Sequence, residues 1–372
     1  MQAAQLTAEG ETFATPAPRL NYIVEKAPMP GSTLQVAPGI HWLRMPLPID
    51  LNHINLWLVE DADGYTLIDT GYPATLCTDV WEGLESTLLR ERPVRRILLT
   101  HFHPDHMGCA AWLQERYRVP VRIAERALPS ARLMVEGPSP ERHEALVHYF
   151  QAHGMADAQD FFAKLGSFKN RSPISRMPKI DQHLVDGQSI DVGRWQLEVI
   201  ETDGHALAHQ SFFSRDPAVL VSGDQILPSI SPNISLSVAD WGLDPLADYL
   251  ASLDRLEKLP QDTLVLPSHG RPFRGLRART ADLRAHHYDH LALLSDHIAT
   301  PHSAFDLMPA LFGRRLAGFN SFLGLHECVA HLEHLVKRGS ATRETGDDGR
   351  YLYRRLGAHA FTDKGGSFPN SR

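Results

Sequence analysis

Cysteine is scarce. The 372 residues hold three, Cys77, Cys109 and Cys328, an odd number at wide spacing. That argues against a disulfide framework and fits a reducing cytoplasm. A chain of this length buries enough apolar surface to fold without staples. Long hydrophobic runs are also missing: the longest, such as Ile54 to Val59, are strand-length and far short of the ~20 residues that cross a bilayer, so no membrane partner is expected. Residues 1–30 have no basic start leading into an apolar stretch, and read as a flexible segment rather than a secretory signal. Positive charge is not in excess. The formal net charge of -7 gives no electrostatic reason to expect a nucleic-acid partner. There is no Gly-x-Ser-x-Gly elbow, so an activated serine is not expected.

Histidine, by contrast, is abundant, with 21 residues. It is the commonest metal ligand and an ordinary surface residue, so position must decide.

From Leu34 the chain reads as short strands: 34–36, 40–44, 54–59 and, after an Asp63-Gly64 turn, 65–68. A helix is expected over 74–91, a buried strand over 94–100, a helix over 107–117 and a strand over 118–123. Residues 125–177 carry helical patterns broken by Gly137-Pro138 and Gly154, and predict a helical cap insertion. Its Phe150, Phe161, Phe162 and Phe168 fit a core, or an apolar wall for an acyl chain. Strands resume at 195–200, 210–213, 218–222 and 263–266, with helices over 244–258 and 276–298. Two groups of strands with helices outside predict two sheets face to face in an α+β fold. After about residue 300, a helix over 303–312, a second over 324–335 and a hairpin around Gly346–Gly349 describe a small winged-helix domain over 301–356; a tail of 357–372 follows.

The chemistry concentrates in Thr100-His101-Phe102-His103-Pro104-Asp105-His106-Met107-Gly108. Four potential ligands in six positions follow directly on a buried strand. Alternation sets His101 and His103 on one side, and the turn brings Asp105 and His106 to a second focus. Imidazoles with a carboxylate suit zinc, and also iron, manganese or cobalt. Three further ligand types appear where strands terminate: His205 after 195–200, Asp224 after 218–222 and His269 after 263–266. Each alone is weak, since strand-end Asp and His are common turn residues. Together with the first cluster they are strong.

These motifs resemble those of the metallo-β-lactamase-superfamily hydrolases, the group that includes glyoxalase II, RNase Z and acyl-homoserine lactonases. The resemblance covers about Leu34 to Ile298, a domain of 31–300. It implies a four-layer αβ/βα sandwich holding two divalent metal ions, zinc first, iron or manganese as alternatives. One metal would lie on His101, His103 and His205, the other on Asp105, His106 and His269, with Asp224 bridging. Asp105 would also orient a metal-bridging hydroxide, since a bound metal lowers the pKa of water from about 15.7 to roughly 7. Asp69, in Leu67-Ile68-Asp69-Thr70-Gly71, would brace the metal loop; a turn-capping role is equally open.

Asp224 argues against a true β-lactamase, and Gln225-Ile226-Leu227 lacks the lactonase tyrosine. The leading expectation is a cytoplasmic enzyme acting on a small ester or thioester of acyl-glutathione or acyl-coenzyme A type. The alternatives are a phosphodiesterase or endoribonuclease of the same fold, and a mononuclear iron dioxygenase. Nucleic acid is disfavoured because the second-domain helix offers only Lys337 and Arg338 against Glu327 and Glu333. A domain that packs on the hydrolase or helps form a homodimer fits better. His326, His331 and His334 are expected to face solvent, His286, His287 and His290 to lie on a partly exposed helix, and His209 to make a structural hydrogen bond.

Overall fold

A computed structural model describes residues 20–48, 51–137, 139–165, 174 and 176–357. The first described strand is β1 (Asn21–Tyr22). A seven-stranded sheet follows in chain order: β2 (Thr33–Ala37), β3 (Ile40–Pro46), β4 (His53–Asp61), β5 (Gly64–Ile68), β6 (Val94–Leu98), β7 (Val121–Ala124) and β8 (Ile180–Leu184). A second sheet runs β9 (Ser189–Val192), β10 (Trp195–Thr202), β11 (His209–Arg215), β12 (Ala218–Gly223), β13 (Leu264–Pro267) and β14 (Phe273–Arg274), with β1 closing its edge beside β14. Asn21–Tyr22 therefore forms an edge strand inside the segment expected to be flexible.

Alternation along the strands builds the layers. In β3, Ile40 and Trp42 point between the sheets, whereas Leu43 and Met45 point to the outer face; in β4, Trp57 and Val59 face inward and Leu56 and Leu58 outward. Such strands are apolar on both faces because both are covered. The inner layer joins Trp42, Trp57 and Ile68 to Trp195, Phe212 and Val221 of the second sheet. Helices α1 (Thr75–Glu85), α2 (Leu88–Glu91), α3 (Pro104–Met107), α4 (Ala110–Tyr117) and α5 (Leu128–Glu136) belong to the half of the chain built on the first sheet. The expected helix over 74–91 is thus two pieces, broken where the chain turns at Ser86 and Thr87.

The second sheet is covered by α6 (Pro140–Ala152), α7 (Ala158–Lys164), α8 (Pro245–Leu256), α9 (Leu276–His297), α10 (Ala304–Phe312) and α11 (Gly318–Lys337). Of the expected cap, α6 and α7 put Phe150 and Phe162 into this layer, with Phe161 against it; Phe168 lies outside the described residues. Helix α11 starts six residues before the expected Gly324 and is followed by a hairpin of β15 (Ala341–Thr345) and β16 (Tyr351–Arg355). Its Leu325, Val329, Leu332 and Leu335 share one apolar cluster with Leu253 of α8 and Leu283 and Leu291 of α9. At ~1.5–3 kcal/mol for each fully buried leucine, this seam is a main stabilising contribution of the C-terminal segment.

The expectation that His326, His331 and His334 face solvent is wrong: all three are buried. Apolar periodicity marked only one stripe of the helix, but α11 is enclosed on more than one side, by α8, α9, α10 and the hairpin. His287 is likewise buried rather than part of an exposed face, while His286 and His290 are half-buried.

Candidate metal centre

Strands β5 and β6 are parallel neighbours in one sheet, and β12 and β13 are parallel neighbours in the other. Their carboxyl ends lie at the same edge of the sandwich. Asp69 follows β5, the His101–His106 loop follows β6, His205 follows β10, Asp224 follows β12 and His269 follows β13. Cross-sheet hydrogen bonds lock the edges together: Gln210 N–H donates to Thr100 O at 2.7 Å, and Asn55 N–H donates to Ser268 O at 2.7 Å. The Asn55 amide also donates to Pro267 O and Gly270 O, both at 2.8 Å, holding the His269 turn from either side.

The seven expected ligands meet. His101 Nε2 lies 2.9 Å from His103 Nδ1, which lies 3.1 Å from His205 Nε2. Around a second focus, His269 Nε2 lies 3.3 Å from Asp105 Oδ2, and His106 Nε2 lies 3.5 Å from the same oxygen. Asp224 stands between the foci: Oδ2 is 3.4 Å from both His106 Nε2 and His205 Nε2, and Oδ1 is 3.4 Å from His269 Nε2.

Four of the five rings are held from behind. Thr100 Oγ1 donates to Asp69 Oδ2 at 2.8 Å, so at 3.0 Å it accepts from His101 Nδ1. His106 Nδ1 donates to Asp69 Oδ2 at 2.8 Å, His205 Nδ1 to Asn233 O at 3.0 Å and His269 Nδ1 to His53 O at 2.8 Å. Each contact engages Nδ1 and leaves Nε2 facing inward, the arrangement that orients imidazole ligands. Asp69 also accepts from Thr100 N–H at 2.8 Å and sits at φ 61°, a conformation uncommon outside glycine. Its contacts join it directly to the metal loop and to the His106 ring.

Close approach is built into the backbone. Gly204 and Gly223, each just before a ligand, have φ of 117° and 55°; a Cβ would lie 2.4 Å from Tyr249 Cβ at the first and 2.3 Å from His209 Nε2 at the second. His209 itself accepts a hydrogen bond from Asp224 N–H at 3.1 Å. Its nitrogen is engaged in positioning Asp224, in keeping with the structural hydrogen bond expected of it.

The electrostatics ask for a cation. Burial and the neighbouring imidazoles hold His101 well below the usual histidine range, and burial with His205 lowers His103 to about 3. Burial also opposes charge on His106 and His269, yet the adjoining carboxylates Asp105 and Asp224 overcome it: His106 is raised well above its ordinary value and His269 to about 10. Burial pushes Asp105 and Asp224 up, and the same two histidines pull both well below the carboxylate range. His106 Nε2 and Asp224 Oδ1 are nevertheless buried with no hydrogen-bond partner among the described residues. Converging lone pairs, unpartnered donor atoms and paired carboxylates fit divalent metal ions. The cysteines do not compete as nucleophiles: all are buried and free, and burial raises Cys77 to about 11.

Sequence reasoning missed Asn55 and Asn233, and assigned no role to His53, which opens a strand leading toward the site mouth. His53 contributes its carbonyl to His269 and its Nε2 accepts from Gly270 N–H at 3.0 Å. Asn233 lies in a segment without regular structure, where nothing in the local pattern marks it. No helix among the described residues is long and apolar enough to cross a membrane.

Comparison with known proteins agrees with this geometry. Residues 49–269 match the family model described as Metallo-beta-lactamase superfamily, and residues 291–356 match that described as Metallo-beta-lactamase-like, C-terminal domain. A crystal structure of a beta-lactamase domain protein from Burkholderia ambifaria superposes with a TM-score of 0.84 at 38% identity, covering 91% of this chain and 98% of that one. A probable metallo-hydrolase of Bacillus subtilis (strain 168) is 25% identical over 313 residues, 81% of this chain and 93% of that protein. An acyl-coenzyme A thioesterase of Bos taurus is 28% identical over 249 residues, 63% of this chain and 79% of its own length. With more than half its length matched, the chain belongs to the metallo-beta-lactamase superfamily and is one of its metallohydrolases.

Proposed function

We propose that the protein hydrolyses a small ester or thioester, of acyl-coenzyme A or acyl-glutathione type, at a pair of divalent ions. His101, His103 and His205 would hold one ion, Asp105, His106 and His269 the other, and Asp224 would join them. The observation that carries this reading is that four of the five histidines are latched at Nδ1, which leaves Nε2 facing inward. When bound, such ions supply Lewis-acid activation of water and of the substrate carbonyl at neutral pH.

The protein's own groups do the remaining work. Asp69 and Thr100 hold His101 and His106 by Nδ1, so that each ring turns Nε2 inward. Asp105, facing His106 and His269, is placed to orient the attacking water and accept its hydrogen bond. Zinc is the first choice for the nitrogen-rich donor set, with iron or manganese next.

The small-molecule reading draws support from the thioesterase relative and from the C-terminal segment. Helix α11 is largely buried against α8, α9 and α10, so it has no free face for a nucleic-acid groove. Three of the hairpin's four arginines are also paired: Arg343 with Glu333 at 2.6 Å, Arg350 with Asp348 at 2.6 Å and Arg355 with Asp296 at 3.2 Å, while Arg354 is exposed. We read the segment as a winged-helix-like unit that packs on the hydrolase. The three unpaired cysteines suit a cytoplasmic setting.

The test is metal analysis of the purified chain followed by a panel of acyl-coenzyme A thioesters, S-acylglutathiones, lactones and phosphodiesters. Two metal equivalents on the seven ligands with thioester turnover is the expected result. Turnover confined to phosphodiesters would overturn the substrate class. One iron on those ligands with oxygen consumption would overturn the hydrolytic reading.

A further inference from the structure

A second histidine cluster lies away from the strand ends, where α9 meets α11. His286 and His290 are four residues apart on α9, so one helix face presents both. Their rings lie 4.0 Å apart between centroids. Glu327 of α11 faces them, and one donor atom from each of the three side chains lies within 4.8 Å of the others. Ligands of a tetrahedral zinc ion, each about 2.0–2.2 Å from the metal, stand roughly 3.4 Å apart. Small side-chain rotations would close the set.

The neighbouring histidines are already committed. His287 uses Nδ1 toward His331 Nε2 at 3.0 Å and Nε2 toward Ser231 Oγ at 3.2 Å. His331 uses its Nδ1 to donate to Glu327 O at 2.8 Å. Neither retains a free ring nitrogen. His290 differs: its Nδ1 is buried with no hydrogen-bond partner among the described residues. Glu327 is only 9% exposed, and the bond it accepts is from Asn233 Nδ2 at 2.8 Å, on Oε2. Arg279, whose guanidinium acts on His286, donates to Leu227 O at 2.6 Å and Ile230 O at 2.8 Å.

We infer that His286, His290 and Glu327 form a third, mononuclear site for a divalent transition-metal ion such as zinc, distinct from the strand-end pair. Two neutral imidazoles from one helix and a buried carboxylate from another are a zinc donor set, with water completing the tetrahedron. Among the described residues no cationic side chain pairs with Glu327. An ion here would clamp the C-terminal segment to the hydrolase. It would also touch the catalytic edge through Asn233, whose side chain holds Glu327 and whose carbonyl holds His205.

The experiment is equilibrium dialysis of the full chain against zinc alone, with metal counted per chain. Wild type is expected to bind three ions. The His286→Ala/His290→Ala double variant is expected to bind two, and to lose the part of the zinc-induced rise in melting temperature that the third ion contributes. A variant with His101→Ala and His103→Ala should keep the third ion. Two ions in wild type, both lost with the strand-end ligands and neither with the helix variant, would overturn this site and leave the dinuclear reading intact. One ion in wild type, lost only in the helix variant, would support this site and overturn the dinuclear reading. If the double variant does not fold, Glu327→Gln preserves side-chain volume and removes the charge. It should weaken the third ion at least tenfold, and unchanged binding there would also overturn the proposal.

Discussion

The protein gathers histidines in two regions, at the strand ends and along the seam between α9 and α11, and the two are built differently. At the strand ends, Nδ1 atoms are tied to Asp69, Asn233 O and His53 O, so Nε2 atoms converge on shared points. Along the seam, His287, His331 and His334 are tied to one another, to backbone or to Asp244, the cap residue of α8. Their burial makes the seam a polar network inside an apolar cluster. Histidine density alone therefore marks no metal site. What counts is which ring nitrogens the surrounding hydrogen bonds leave free.

The sharpest way to break the comparison is at the strand ends. His103→Ala should reduce turnover by at least ~1,000-fold, about 4 kcal/mol of transition-state stabilisation, while circular dichroism stays like wild type. Asp69→Asn keeps the volume but weakens the hold on Thr100 and His106; a 10- to 100-fold loss of metal affinity or activity is expected, roughly the effect of removing an outer partner. Metal titration with activity in the same samples would check it, and unchanged values would reduce Asp69 to a turn residue.

The seam should respond in stability rather than in chemistry. Leu332→Ala deletes a fully buried side chain and should cost roughly 2–5 kcal/mol in denaturant unfolding. Metal content at the strand ends should not change. Equal losses of stability and of catalytic metal would merge the two regions into one.

The smallest effect is expected from pH. His153 is buried beside Tyr149 and Tyr353, and burial, with Arg343 and His326, lowers it to about 3. Its unfolded value is near 6.5, so the unfolded chain binds the proton more readily. The stability that its neutral form contributes is complete above pH 6.5 and is lost as pH falls toward 3. At pH 5 the loss is about 2 kcal/mol. His153→Gln should flatten the melting-temperature profile between pH 6.5 and 5, and an unchanged slope would contradict the assignment.

Much of the site was legible because a strand end is a local signal. His101, His103, Asp105 and His106 sit within six residues, and His205, Asp224 and His269 each follow a strand whose alternation or apolar run is readable. The four layers were legible for the same reason. Strands β8 and β9 were not expected, since Ile180–Leu184 and Ser189–Val192 are largely polar and exposed outside Leu184, Ile190 and Val192. The burial of His326, His331 and His334 was also hidden. Their positions on α11 follow no apolar stripe, and their partners Phe322 O, Glu327 O and His287 and Asp244 include residues up to 90 positions away.

By itself the sequence determined the strand order of the chemistry: which residue types end which strands, and hence that imidazoles and carboxylates could gather at one edge. Spacing along the chain carries that information because period-two alternation and strand termination are local properties. Only the tertiary structure decided which nitrogen each ring turns inward, that His53 and Asn233 hold two of those rings, and that the C-terminal helix is enclosed. Those outcomes depend on hydrogen bonds and packing between distant segments, such as the 216 positions from His53 to His269, and no local pattern encodes them.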